Sequence, residues 1–129
     1  MPDMKPLGRK PTDSELEILR VLWTRGPSTV RQVAAQLDRE AGYTTILKLL
    51  QIMTEKRLVV RDESERTHVY QAAYTEDQTQ RQLVTDLLDR AFDGSAAKLV
   101  LQALASHTAS PQELEEIRKL LNKQRGESR

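Results

Sequence analysis

The sequence predicts a mainly α-helical chain with one small β-hairpin: a winged helix-turn-helix followed by a C-terminal helical dimerisation region. Three observations carry that prediction. Apolar residues recur at helical spacing in three successive segments ending at Glu55. The period then drops to two around a charged tip in "LVVRDESERTHVYQ", as the two strands of a hairpin require. Helical spacing returns after Thr75 and persists almost to the end of the chain. Three helices followed by a hairpin describe a short list of folds, and the winged helix leads it.

Residues 1–11 hold three prolines with Lys5, Arg9 and Lys10, and read as a flexible basic arm. The first helix opens at "TDSE", where Thr12 caps the backbone and Glu15 reaches back to close a capping box. Ile18 and Leu22 stand one turn apart behind it, and Gly26-Pro27 ends the helix. A second, shorter helix begins near Ser28 or Thr29, with Gln32 placed to complete another box. Val30, Val33, Ala34 and Leu37 share its inner face. The polar turn "DREAG" closes at Gly42 and leads into "YTTILKLLQIMTE". At 100° per residue, Ile46, Leu49, Leu50 and Met53 fall in one sector of that third helix. Thr44, Lys48, Gln51 and Glu55 fall opposite.

Beyond the hairpin, "TEDQ" offers a third capping box, and Leu83, Val84, Leu87, Leu88 and Ala91 form a stripe ending near Asp93-Gly94. Ser95 to Ser106 is a strongly apolar helix. "SPQE" starts the last one, with Ser110 as cap, Pro111 in the first turn and Glu113 closing the box. The domains expected are therefore a winged helix over 12–74, a helical dimerisation domain over 75–123 and a frayed tail over 124–129. The dimerisation expectation rests on surface. Three short helices bury too little to hold steady alone, and their aliphatic residues need a mate. The interface set is Leu83, Leu87, Leu88, Leu99, Leu101, Leu104, Leu114, Ile117, Leu120 and Leu121.

Composition narrows the chemistry. The 129 residues carry a formal net charge of +1, so charge alone does not announce a nucleic-acid partner. Cysteine is absent, which removes disulfides, thiolate catalysis and cysteine zinc sites together. His68 and His107 lack paired ligand spacing and read as surface or structural residues. Glu113, Glu115 and Glu116 sit where negative charge favours a helix dipole. There is no Gly-rich phosphate loop and no Ser-His-Asp arrangement, so no catalytic residue, metal or cofactor is assigned. No apolar run reaches the roughly 20 residues that span a bilayer, and a cytoplasmic location is expected.

The third helix carries the functional expectation. A DNA major groove admits one α-helix and displays base edges that Thr, Lys and Gln hydrogen-bond. Basic residues at the helix end and on the wing suit phosphates, which set register rather than sequence. Lys56, Arg57, Arg61 and Arg66 fill those places. The reading from a different class is a winged-helix protein–protein adaptor, in which the same polar stripe binds a protein.

The runs "TDSELEILRVLWTRGPSTVRQVAAQL" and "YTTILKLLQIMTEKRLVVRDESERTHVYQ" resemble the penicillinase-repressor (BlaI/MecI/CopY) family of bacterial transcriptional repressors. The early Leu-Trp, the Tyr-Thr-Thr opening of the third helix and the wing ending in His-Val-Tyr carry the likeness. It extends through "AAKLVLQAL" to "SPQELEEIRKLL". The resemblance implies a homodimer on a palindromic double-stranded DNA operator, in many members paired with a membrane-bound sensor-protease whose activation leads to cleavage of the repressor near the helix matching Ser95 to Ser106. Carried over by position, Tyr43, Thr44, Thr45 and Lys48 start the recognition helix, Gln51 follows one turn on, and Arg61 and Arg66 serve the wing. Three departures stand out. Ile52 and Arg57 replace a residue that is basic in several members and a common glycine. The segment Leu101-Gln102-Ala103-Leu104 lacks the Asn-Phe of the cleavage site, so cleavage near Gln102-Ala103 does not carry over. The copper-responsive branch uses C-terminal cysteines, which this chain lacks.

Overall fold

A computed structural model describes residues 10–37 and 42–126. The basic arm up to Arg9, most of the "DREAG" turn and the last three residues of the tail lie outside those described. The elements run α1 (Asp13–Arg25), α2 (Val30–Gln36), α3 (Tyr43–Glu55), β1 (Val59–Asp62), β2 (Val69–Ala72), α4 (Glu76–Ala91), α5 (Ala96–Ser106) and α6 (Pro111–Gln124). Helices with a two-stranded antiparallel hairpin between the third and fourth are the fold class the sequence predicted.

Local chemistry starts the helices. Thr12 with Glu15, Thr29 with Gln32, Thr75 with Gln78 and Ser110 with Glu113 each form a reciprocal capping box. Each box satisfies two backbone donors that a helix start otherwise leaves open. Ser95 accepts from the Lys98 amide and starts α5. The exception is α3, where Gly42 supplies no side-chain cap and the first turn holds no acid.

The chain divides into two compact units, Met1–Thr85 and Asp86–Arg129. In the first, Ile18, Leu19, Leu22, Val30, Val33, Ile46, Leu50, Met53, Leu58, Val59 and Tyr70 form one buried core. Val59 pairs with Ala72 and Asp62 with Val69, while Ser28 adds a bridge through two hydrogen bonds to Tyr70 at 2.9 and 2.8 Å. That bridge ties the wing to the start of α2. Trp23 donates its indole N–H to the Tyr74 carbonyl at 2.9 Å, which gives its half-buried ring the acceptor it needs. A boundary at 74/75 separates strand from helix, but the compact unit continues to Thr85, and Thr79 of α4 is itself buried.

The second unit is built differently. Neither α5 nor α6 contains a buried residue. Within this unit Leu87, Val100, Leu101, Leu104, Leu114, Leu120 and Leu121 are exposed, while Leu88, Leu99 and Ile117 are partly covered; just before it, on the part of α4 that belongs to the first unit, Leu83 is partly covered and Val84 exposed.

Candidate nucleic-acid interface

The two faces of α3 separate as the periodicity requires. Ile46, Leu50 and Met53 are wholly buried, and Leu49 packs against the core from its edge. Tyr43, Thr44, Thr45, Lys48, Gln51 and Glu55 are exposed, with Ile52 beside them. The buried side therefore fixes the helix in place and leaves a continuous stripe of hydroxyl, ammonium and amide groups outward. Those groups match the donors and acceptors on base edges.

The end of α3 is set by a Schellman motif. The Leu58 amide donates to the Met53 carbonyl at 2.9 Å and the Arg57 amide to the Thr54 carbonyl at 3.1 Å. This motif needs a left-handed residue at its turn, and Arg57 adopts it at φ 65°. Glycine enters that region without cost, whereas a residue with a Cβ gives up roughly 1–2 kcal/mol. The position where the family often carries glycine is thus the one position of the turn that needs it. Arg57 remains exposed at the entrance to the wing.

Two of the basic residues expected on phosphates are engaged inside the fold. Lys56 Nζ lies 2.7 Å from Glu15 Oε1, with side chains 9% and 3% accessible, and also approaches the Lys10 carbonyl at 3.5 Å. The same Glu15 oxygen accepts from the Thr12 amide. Lys56 thus clamps the end of α3 to the start of α1 and does not join the exposed stripe. Arg61 Nε lies 2.6 Å from Glu63 as an ion pair, and the cross-strand Tyr70 hydroxyl and Glu63 both favour its charged form. Its charge is largely answered within the wing. Arg66, by contrast, is exposed at the far side of the hairpin tip with no acidic partner among the described residues.

A cleft of about 480 Å³ lies where α2, α3 and the wing meet, lined by Thr29, Arg31, Tyr43, Arg66, Thr67 and His68 over a floor that includes Tyr70. The Arg31 guanidinium stands over the Tyr43 ring, 5.9 Å from its centroid. Sequence patterning gave no signal for Arg31, because it lies on another helix and meets Tyr43 only through the fold. Among the described residues no group of three or more His, Asp or Glu side chains could hold a metal ion. No described helix is long and apolar enough to cross a membrane.

A core-anchored helix with a polar outer face, followed by a hairpin whose charged tip exposes Arg66 beside Glu63 and Glu65, defines a winged-helix protein of the kind that reads nucleic acid. The chain belongs to the penicillinase repressor family, whose model matches residues 11–123. It is 34% identical over 92 residues to the transcriptional regulator BlaI of Mycobacterium tuberculosis, a span of 69% of this chain and 67% of that one. It is 22% identical over 111 residues to the penicillinase repressor of Staphylococcus aureus, covering 84% and 88% of the two chains. It is also 21% identical over 114 residues to the methicillin resistance regulatory protein MecI of Mammaliicoccus sciuri, covering 87% and 93%. These relatives are named as regulators and not as enzymes, and membership makes the chain a DNA-binding transcriptional regulator of the repressor type.

Proposed function

We propose that the chain is a sequence-specific repressor that acts as a homodimer on a palindromic operator. The observation that carries the proposal is the division of α3 into a fully buried Ile46–Leu50–Met53 edge and an exposed Thr44–Lys48–Gln51 stripe. In this reading Thr44, Lys48 and Gln51 read bases, while Tyr43, Thr45, Arg57 and Arg66 lie against flanking phosphates. Glu55 lies beyond the groove, since a carboxylate there repels phosphate.

The dimer part rests on the second unit. Leucines exposed at 67%, 57% and 53% (Leu101, Leu120, Leu121) are unusual on a finished surface. A two-fold mate covers such a face with the same face. Two recognition helices then present about one helical turn apart (~34 Å), the spacing of palindromic half-sites.

Affinity for the DNA upstream of its own gene, followed as salt is raised, tests the reading. Phosphate contacts give a steep log-linear fall. An adaptor that binds only protein shows no such affinity, and no binding at low salt sinks the repressor. For the dimer, Leu87→Asp or Ile117→Asp places a charge in the interface and is expected to yield monomers or unfolding by sedimentation. A folded dimer with either change refutes the placement. Release is tested by chain length during induction. A cut near Gln102-Ala103, both exposed on α5, assigns a membrane-bound sensor-protease as partner, and an intact chain assigns another signal.

A further inference from the structure

We propose that the cleft between α2, α3 and the wing is a phosphate clamp, in which Arg31 and Arg66 together grip one backbone phosphate of the bound DNA. The proposal rests on the DNA-binding reading above and adds a residue to it. The first argument is charge. Two guanidiniums, a histidine and the hydroxyls of Thr29, Tyr43 and Thr67 line the cleft, and no carboxylate does among the described residues. Other clefts differ: the one beside Arg57 and Arg61 contains Glu63, and the one between α5 and α6 contains Glu113 and Glu116.

The second argument is availability. Among the described residues neither Arg31 nor Arg66 is paired with an acid, unlike Arg61 and Lys56. A guanidinium left unanswered beside donors and no acceptor carboxylate is arranged for an anion, and its planar fork suits phosphate oxygens.

The third argument is preorganisation. Arg31 is long and on the surface, yet the Tyr43 ring lies beneath it at 5.9 Å. That contact narrows the orientations the guanidinium samples before DNA arrives. Tyr43 is also the first residue of α3, whose N-terminus has no side-chain cap from Gly42, so the dipole at that end adds to the positive field. Tyr43 therefore acts as a positioning residue for Arg31, and the clamp fixes the recognition helix and the wing on the same strand.

Because phosphate contacts do not depend on sequence, the test uses two duplexes, the upstream DNA and an unrelated one of equal length. Arg31→Ala is expected to lower the slope of log affinity against log salt by about one on both. A melting curve shows that the variant is folded. In a Tyr43→Ala background, Arg31→Ala is expected to remove little more. In a Tyr43→Phe background, which keeps the ring, it still costs about one in slope. Arg66→Ala and Arg31→Ala are expected to be less than additive, as residues on one phosphate should be. If the wild type binds neither duplex, the DNA-binding reading fails and the clamp with it. If the wild type binds and Arg31→Ala keeps its full slope on both, the clamp alone is overturned. A free phosphorylated solute is the other source of the same chemistry. An unchanged slope, together with an Arg31 Nε resonance that titrates with inorganic phosphate in the DNA-free protein, assigns the cleft to that source and overturns the DNA assignment.

Discussion

The two units of this chain are made of similar residues and solve burial in opposite ways. The winged-helix unit closes its own core: Ile18, Val33, Ile46, Leu50 and Met53 are completely covered within one chain. In the second unit, α5 and α6 bury nothing, although α5 is the more uniformly apolar helix. The difference lies in non-local partners. In the first unit a hairpin and a third helix return to cover α1 and α2. In the second, two short helices follow α4, and among the described residues no sheet closes over them. Stability is thus intramolecular in one half and, on the proposed reading, intermolecular in the other.

The largest expected effect separates these two kinds of stability. Leu50→Ala should cost about 2–5 kcal/mol in a denaturant melt, at any protein concentration. Leu101→Ala should instead weaken stability in proportion to how dimeric the sample is. Its deficit against wild type should appear at high concentration and fade on dilution, as mass action requires. A Leu101→Ala deficit independent of concentration would break the comparison.

Next in size is the ion pair that anchors α3. Lys56→Met leaves the buried Glu15 carboxylate with only its capping hydrogen bond and should cost about 3 kcal/mol in thermal or denaturant unfolding. Glu15→Gln in the same chain should restore most of that loss, since glutamine still completes the capping box with Thr12. Recovery in the double variant would mark Lys56 as scaffold for the recognition helix.

A smaller effect of opposite sign belongs to Arg57. Arg57→Gly relieves the left-handed backbone at φ 65° but loosens the unfolded chain, so a net gain of about 0.5–1 kcal/mol is expected. The same variant removes an exposed cation near the wing, so stability and DNA affinity should move in opposite directions. The smallest effect concerns the wing tip. The Ser64 amide donates to Asp62 Oδ1 at 2.9 Å and holds that carboxyl below its ordinary range. A lowered folded value means the contribution is complete above the ordinary carboxylate range and lost as pH falls through the folded value. Protection of the Ser64 amide, measured against its intrinsic exchange rate, should therefore hold at neutral pH and fall only in acid, below the ordinary carboxylate range. Loss of protection near neutral pH would point to a different tether.

Several of these features were readable in advance and others were not. The burial of Ile46, Leu50 and Met53 followed from a spacing of three and four residues, which depends on nothing outside the helix. Lys56 looked like any basic residue at a helix end. Its partner Glu15 lies 41 positions away, and that carboxylate had already been explained by its capping box. Arg57 could be marked as a departure from glycine, but its left-handed conformation became visible only with the Schellman hydrogen bonds. Arg31 carried no pattern at all, because its meaning depends on a tyrosine from another helix and an arginine from the wing.

The sequence by itself determined where the helices begin, which side of each is apolar and where the hairpin turns. Capping boxes and hydrophobic periods act over three or four residues, and the chain cannot hide them. The tertiary structure alone decided which charges remain free to meet a partner. Lys56 and Arg61 are answered within the fold, whereas Lys48, Arg31 and Arg66 have no acidic partner among the described residues. That division is set by distances between residues remote in sequence, and Coulomb attraction at such short range depends on coordinates that no local pattern contains.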